Sequence, residues 1–186
     1  MNLPNKLTIL RTLLIPFFLV ALLWDEVPYG NWIALVIFAV ASITDMLDGK
    51  IARKYNLVTN FGKFMDPLAD KLLVSSAMIA FVEIGRMPCW IVIVIIAREF
   101  IISGFRLVAA DNGIVIAAGI WGKIKTAEQM VMICILLADF GSLFPDYDSQ
   151  IYAFETVLIY AALILTIVSL LDYLIHNKGV LAENNK

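Results

Sequence analysis

The amino-acid sequence predicts an all-α membrane protein with six transmembrane helices and a short N-terminal interfacial helix. Hydrophobic residues make up 61% of the 186 residues, and the mean hydropathy is +0.88. Soluble domains are about 45–50% apolar, so a soluble core of this size has no room for so much apolar surface. The apolar residues also fall into six stretches separated by short polar breaks.

Each apolar stretch is about long enough to cross a hydrocarbon core of ~30 Å as a helix. Lipid forces the helical conformation, because unpaired backbone groups are too costly there. The stretches cover residues 7–24, 31–52, 66–84, 88–109, 121–139 and 152–173. The segment 2–11 is amphipathic and is expected to lie along the membrane interface before the first span. We therefore expect one membrane domain over residues 1–186.

The charged residues predict the orientation in the membrane. If the N-terminus is cytoplasmic, Arg86 falls outside and the other basic residues of the breaks and ends fall inside, as the positive-inside rule requires. The inside group is Lys6, Arg11, Lys50, Arg53, Lys54, Lys63, Lys71, Lys123, Lys125, Lys178 and Lys186. The predicted location is the cytoplasmic membrane. The net charge of −2 gives no reason to expect a nucleic-acid partner.

Four aspartates carry the candidate chemistry. Asp45 and Asp48 share one helix face at i, i+3, and Asp66 and Asp70 share another at i, i+4. At ~4 Å, two like charges repel by about 4 kcal/mol at an effective dielectric constant of about 20. A cation among them removes this repulsion, and carboxylate oxygens suit Mg²⁺ or Mn²⁺. Two carboxylate pairs on facing helices can hold two such ions.

The alternative for these aspartates is pairing with nearby cations at the interface. The available cations are Lys50, Arg53, Lys63 and Lys71. The clustering of four acids favours a functional site, since ionisable groups in membrane helices are functional candidates by default. The small residues Gly49, Ala52 and Gly62 leave a gap beside the acids. A nucleotide diphosphate is a ligand that needs metal ions, a basic residue such as Arg53, and such a gap.

The same stretch resembles a family signature. Residues 45–53 read D-M-L-D-G-K-I-A-R and residues 62–70 read G-K-F-M-D-P-L-A-D, with eight residues between them. The pattern resembles D-x2-D-G-x2-A-R-x8-G-x3-D-x3-D, the signature of the CDP-alcohol phosphotransferase family, at every fixed position. The resemblance implies that an alcohol attacks the lipid-linked phosphate of CDP-diacylglycerol, or of a related CDP-linked donor, and that CMP leaves. It also implies a homodimer.

The resemblance assigns roles to individual residues. Asp45, Asp48 and Asp66 are implied metal ligands, and Asp70 is implied to be both a ligand and the general base. The implied CDP-diacylglycerol-binding residues are Asp45, Gly49, Ala52, Arg53, Gly62 and Asp66.

The implied acceptor is sn-glycerol 3-phosphate. Residues 4–11, 97–106 and 122–126 resemble the branch of the family that converts this acceptor to phosphatidylglycerophosphate. Arginine forks match a phosphate well, and the expected acceptor-binding cations are Arg98, Arg106, Lys123 and Lys125. Arg98 can instead pair with Glu99 or Glu128. Arg106, Lys123 and Lys125 can instead be topology anchors.

Three other functions remain open at this point. A sibling transferase would use inositol phosphate or serine as its acceptor, and only the basic residues of the fourth and fifth helices separate it from the favoured function. A transporter would place acids near the middle of the membrane on broken helices. A structural membrane protein has no use for the four aspartates.

Overall fold

The protein is all-α, as the sequence predicts. A computed structural model describes the backbone of residues 3–54, 60–111, 116 and 119–177, and excludes the side chains of residues 3–6, 46–54, 60–64, 66, 67 and 111. The described helices are α1 (Leu3–Leu23), α2 (Gly30–Lys54), α3 (Asn60–Glu83), α4 (Cys89–Asp111), α5 (Ile120–Ala138), α6 (Phe140–Leu143) and α7 (Asp148–His176), with a 3₁₀ turn at Pro145–Tyr147. Each predicted apolar stretch corresponds to one long helix and extends at most one residue beyond it.

The predicted separate N-terminal interfacial helix is wrong. Helix α1 runs without a break from Leu3 to Leu23 and includes most of the amphipathic segment. Neither glycine nor proline interrupts residues 5–15, and Pro4 stands in the first turn, where its missing N–H costs nothing. The interfacial segment is therefore the first part of the first long helix.

The six long helices form a closed ring. Helix α1 packs between α2 and α3, α2 packs against α5, α5 against α7, α7 against α4, and α4 against α3. The centre of the ring is an apolar core that includes Phe18, Phe38, Phe81, Ile95 and Leu136. The rings of Phe18 and Phe38 tilt against each other with centroids 6.3 Å apart.

Tight turns hold neighbouring helices together at one end of the ring. Gly85 links α3 to α4 with a φ of +75°, a conformation that glycine adopts without strain. A Cβ on Gly30 would collide with the carbonyl oxygen of Ala21, so the glycine allows α2 to start directly against α1. Arg86 donates to the carbonyl oxygen of Leu136 at 2.7 Å and forms an ion pair with Asp139, so this end is also clamped by charge.

The outside of the ring is apolar. Exposed side chains include Phe17, Val36, Ile79, Ile93 and Ile164. Within the described part of the chain, Ile120–Leu143 and Pro145–His176 are long and apolar enough to cross a membrane, and Leu7–Leu23 and Gly30–Asp45 are shorter apolar helices. The outer surface suits a lipid environment, and the six-span topology stays a prediction.

Candidate active site

The structure brings together one aspartate from each predicted pair. Asp45 on α2 and Asp70 on α3 are both half-buried. Asp45 accepts a hydrogen bond from Nη1 of Arg11 at 2.5 Å. Asp70 interacts electrostatically with both Asp45 and Arg11. The acidic ends of α2 and α3 therefore meet beside α1, which packs against both helices.

The other residues of the predicted metal and donor sites lie outside the described side chains. They are Asp48, Gly49, Ala52, Arg53, Gly62 and Asp66. Among the side chains that are described, no group of three or more possible metal ligands comes together. The four-aspartate metal site and the donor-binding site stay predictions.

The described acids fit a divalent cation in their donor chemistry. Asp45 and Asp70 offer carboxylate oxygens, which are the ligands that Mg²⁺ and Mn²⁺ prefer. Their negative charges act on each other, and Arg11 stands against Asp45 with a side chain only 2% exposed. Two like charges that repel each other benefit from an additional positive charge between them.

A second polar group lies next to the acids, on α4 and α5. One oxygen of Glu99, Oε1, accepts hydrogen bonds from Nη1 of Arg98 at 2.9 Å and from Nζ of Lys125. The residues Arg98 and Lys125 are 8% and 2% exposed, so both cations are buried against one shared carboxylate. Glu99 also interacts electrostatically with Asp70. The basic and acidic groups therefore belong to one polar region.

Arg98 keeps donor capacity beyond its ion pair. Its Nε is buried and has no hydrogen-bond partner among the described residues. A Cβ on Gly122 would lie at an ordinary contact distance of 3.6 Å from Nη2 of Arg98, so the guanidinium packs beside α5. Arg98, Lys125 and Glu99 together carry a net charge of +1 with an unused N–H, which is suitable for binding an anion.

The remaining two predicted acceptor-binding cations are exposed. The guanidinium of Arg106 lies over the ring of Tyr173, 5.6 Å from its centroid. Lys123 is exposed, and no ion pair of its side chain is found within the described part of the chain. The structure thus groups Arg98 with Lys125 and leaves Arg106 and Lys123 at the surface.

Three features of this region were not predicted as parts of the site. The sequence analysis assigns Arg11 only to the cytoplasmic positive charge, but its guanidinium forms an ion pair with Asp45. Glu99 is considered as a partner of Arg98 alone, but it also binds Lys125. Lys71 donates to Oγ of Ser103 on α4. The sequence feature that could have indicated these contacts is a cation inside an apolar stretch, because a charge there is costly without a partner.

Comparison with known proteins places the chain among phospholipid-synthesising transferases. A family model described as CDP-alcohol phosphatidyltransferase matches residues 1–168. Proteins named CDP-diacylglycerol–glycerol-3-phosphate 3-phosphatidyltransferase are similar along the chain. The Bacillus subtilis protein is 43% identical over 99% of both chains. The Haemophilus influenzae protein is 40% identical over 98% of this chain and 97% of its own. A Rickettsia bellii protein of the same name is 42% identical over 73% of this chain and 75% of its own.

Proposed function

Because the chain belongs to the CDP-alcohol phosphatidyltransferase family, we propose that it transfers the phosphatidyl group of CDP-diacylglycerol to sn-glycerol 3-phosphate. The products are phosphatidylglycerophosphate and CMP, so the protein is a transferase of phospholipid biosynthesis. The substrates are those in the names of relatives that match nearly its whole length. The structural observation that carries the proposal is the half-buried Asp70, which interacts electrostatically with Asp45 of α2 and with Glu99 of α4.

The proposed reaction is a single displacement at phosphorus. A hydroxyl oxygen of the acceptor attacks the phosphorus that carries diacylglycerol, and its proton passes to a carboxylate oxygen of Asp70. The bond from that phosphorus to the oxygen of CMP breaks, and CMP leaves with the electron pair. Positioning of the two substrates supplies much of the rate in such reactions.

The proposed metal ligands are Asp45, Asp48, Asp66 and Asp70, and the proposed ions are Mg²⁺ or Mn²⁺, two per site. When bound, these ions neutralise charge on the diphosphate and on the departing phosphate of CMP. The support is the hard oxygen donor set and the mutual repulsion of Asp45 and Asp70. The proposed donor-binding residues are Asp45, Gly49, Ala52, Arg53, Gly62 and Asp66.

The acceptor is proposed to bind on the basic side of Asp70. Arg98 and Lys125 supply buried positive charge, and the unused Nε of Arg98 can donate to a phosphate oxygen. Arg106 and Lys123 are proposed to add charge at the surface. This excess of cations favours a phosphorylated acceptor over serine, because a phosphate dianion needs charge-assisted hydrogen bonds.

The decisive experiment gives the purified protein CDP-diacylglycerol with one acceptor at a time and measures CMP release. The acceptors are glycerol 3-phosphate, inositol phosphate, serine and glycerol, each with Mg²⁺ or Mn²⁺. We expect glycerol 3-phosphate to be used far better than the others. Equal use of inositol phosphate or serine would assign the chain to a sibling reaction and leave the transferase chemistry intact.

We propose six membrane spans with the active site at the cytoplasmic side. Exposed apolar side chains on α1 to α4 support spans beyond the two most apolar segments. Cys89 is exposed at the start of α4, at the end predicted to be outside. In a Cys134→Ser background, a membrane-impermeant maleimide should label Cys89 from outside intact cells. Labelling only after permeabilisation would reverse the topology. The homodimer stays a prediction, and light scattering in detergent tests it.

A further inference from the structure

Lys71 is a cation whose contact the sequence does not reveal. It follows the proposed base Asp70 directly on α3, and it crosses to α4, where its Nζ donates to Oγ of Ser103. The hydroxyl of Ser103 in turn donates to the backbone carbonyl oxygen of Glu99 at 2.5 Å. Because the hydroxyl proton is used in that bond, the oxygen presents its lone pairs to Lys71. These two consecutive hydrogen bonds therefore orient the ammonium group of Lys71 toward α4.

Lys71 interacts with both the acidic and the basic groups of the polar region. It interacts electrostatically with Asp70 on its own helix and with Glu99, Arg98 and Arg106 on α4. The side chain is half-buried. Lys71 thus interacts electrostatically both with the proposed base and with two of the cations proposed to hold the acceptor.

Lys71 differs from the other buried cations in its partner. Arg98 and Lys125 both donate to the carboxylate of Glu99. The hydrogen-bond partner of Lys71 among the described residues is a neutral hydroxyl. An ammonium has three N–H donors, and one bond to a serine leaves two for a ligand. A half-buried ammonium with a neutral partner is well suited to bind an incoming anion.

We propose that Lys71 binds the phosphate group of the acceptor and that Ser103 is its positioning residue. This inference rests on the proposed function. The acceptor is favoured over the donor diphosphate because the neighbours of Lys71 beyond Asp70 lie on α4, whereas the proposed donor-binding residues lie on α2 and in the first two turns of α3. The reacting hydroxyl and the phosphate belong to one small molecule, so a phosphate held by Lys71 keeps that hydroxyl near Asp70.

The first test measures KM for both substrates in Lys71→Met and Lys71→Arg. Loss of a charge-assisted bond should raise the KM for glycerol 3-phosphate about ten-fold to a hundred-fold in Lys71→Met. The KM for CDP-diacylglycerol should stay within about two-fold of wild type. Lys71→Arg should recover part of the loss, because the charge remains but the compact ammonium is replaced by a planar fork.

The second test addresses Ser103 with a matched control. Ser103→Ala should raise the KM for glycerol 3-phosphate about three-fold to ten-fold, since the ammonium loses its acceptor. Ser103→Thr should restore it, because the hydroxyl is retained. Ser76→Ala removes a half-buried serine of α3 outside this cluster and should change neither KM.

A binding measurement accompanies the kinetics. Saturating glycerol 3-phosphate should raise the melting temperature of the wild-type protein, and this shift should be largely lost in Lys71→Met. If Lys71→Met fails to fold, Ser103→Ala and Lys71→Arg decide the question by the same two measurements.

The outcomes separate the two proposals. A wild type that releases no CMP with glycerol 3-phosphate refutes the proposed function. An active wild type with an unchanged KM for glycerol 3-phosphate and an unchanged melting shift in the Lys71 and Ser103 variants refutes only the role of Lys71. An equal rise in both KM values also refutes it, because Lys71 would then serve the whole site rather than the acceptor.

Discussion

The carboxylate of Glu99 offers the sharpest test of the buried polar region. Its Oε1 accepts from Arg98 and from Lys125, and both cationic side chains are less than a tenth exposed. Glu99→Gln removes the negative charge and preserves the size of the side chain. The two cations are then left near each other with one amide oxygen to share between them.

The expected cost follows from the burial of the pair. Removing one partner of a buried ion pair typically costs about 3–5 kcal/mol, because the remaining charge is buried and uncompensated. We therefore expect Glu99→Gln to lower the free energy of unfolding by about 3–5 kcal/mol. The double variant Glu99→Gln with Lys125→Met should recover part of this loss, since it leaves a single cation beside the amide.

The assay is denaturant unfolding in detergent micelles, with the free energy taken by linear extrapolation. Glu83→Gln is the matched control, because Glu83 is exposed at the end of α3, and it should stay within about 0.5 kcal/mol of wild type. If Glu99→Gln also changes the free energy of unfolding by no more than this control, other groups compensate the two cations. The reasoning from the shared carboxylate is then refuted.

Three further predictions concern the chemistry and the opposite end of the ring. Asp70→Asn should lower kcat at least a hundred-fold while CDP-diacylglycerol binding persists, because the proton acceptor is lost; normal turnover would remove Asp70 as the base. Excess chelator should abolish CMP release and added Mg²⁺ or Mn²⁺ should restore it, whereas full activity in chelator would exclude the metal site. Arg86→Met should destabilise the protein by about 1–3 kcal/mol, because Arg86 pairs with Asp139 and the carbonyl of Leu136. Since these contacts of Arg86 are remote from the polar region, the KM for glycerol 3-phosphate should not change. A large change in this KM would contradict that separation.

The helical class and the positions of the long helices could be predicted from the sequence. Six apolar stretches with short polar breaks leave the backbone few alternatives to helices in lipid. The family was also predictable, because the signature from Asp45 to Asp70 depends on residue types at fixed spacing along the chain. The continuous start of α1 was not predictable, because an amphipathic pattern does not show whether the helix breaks between an interfacial segment and the apolar segment that follows.

The partners of the charged residues were decided by the tertiary structure. Spacing along one helix shows which side chains share a face, but not which helix packs against that face. Arg11 meets Asp45 because α1 lies between α2 and α3. Lys125 reaches Glu99 from α5, and Lys71 reaches Ser103 on α4. Since a buried charge must be compensated wherever the ring of helices places it, the sequence determines which residues can ionise, and only the packing determines which of them interact.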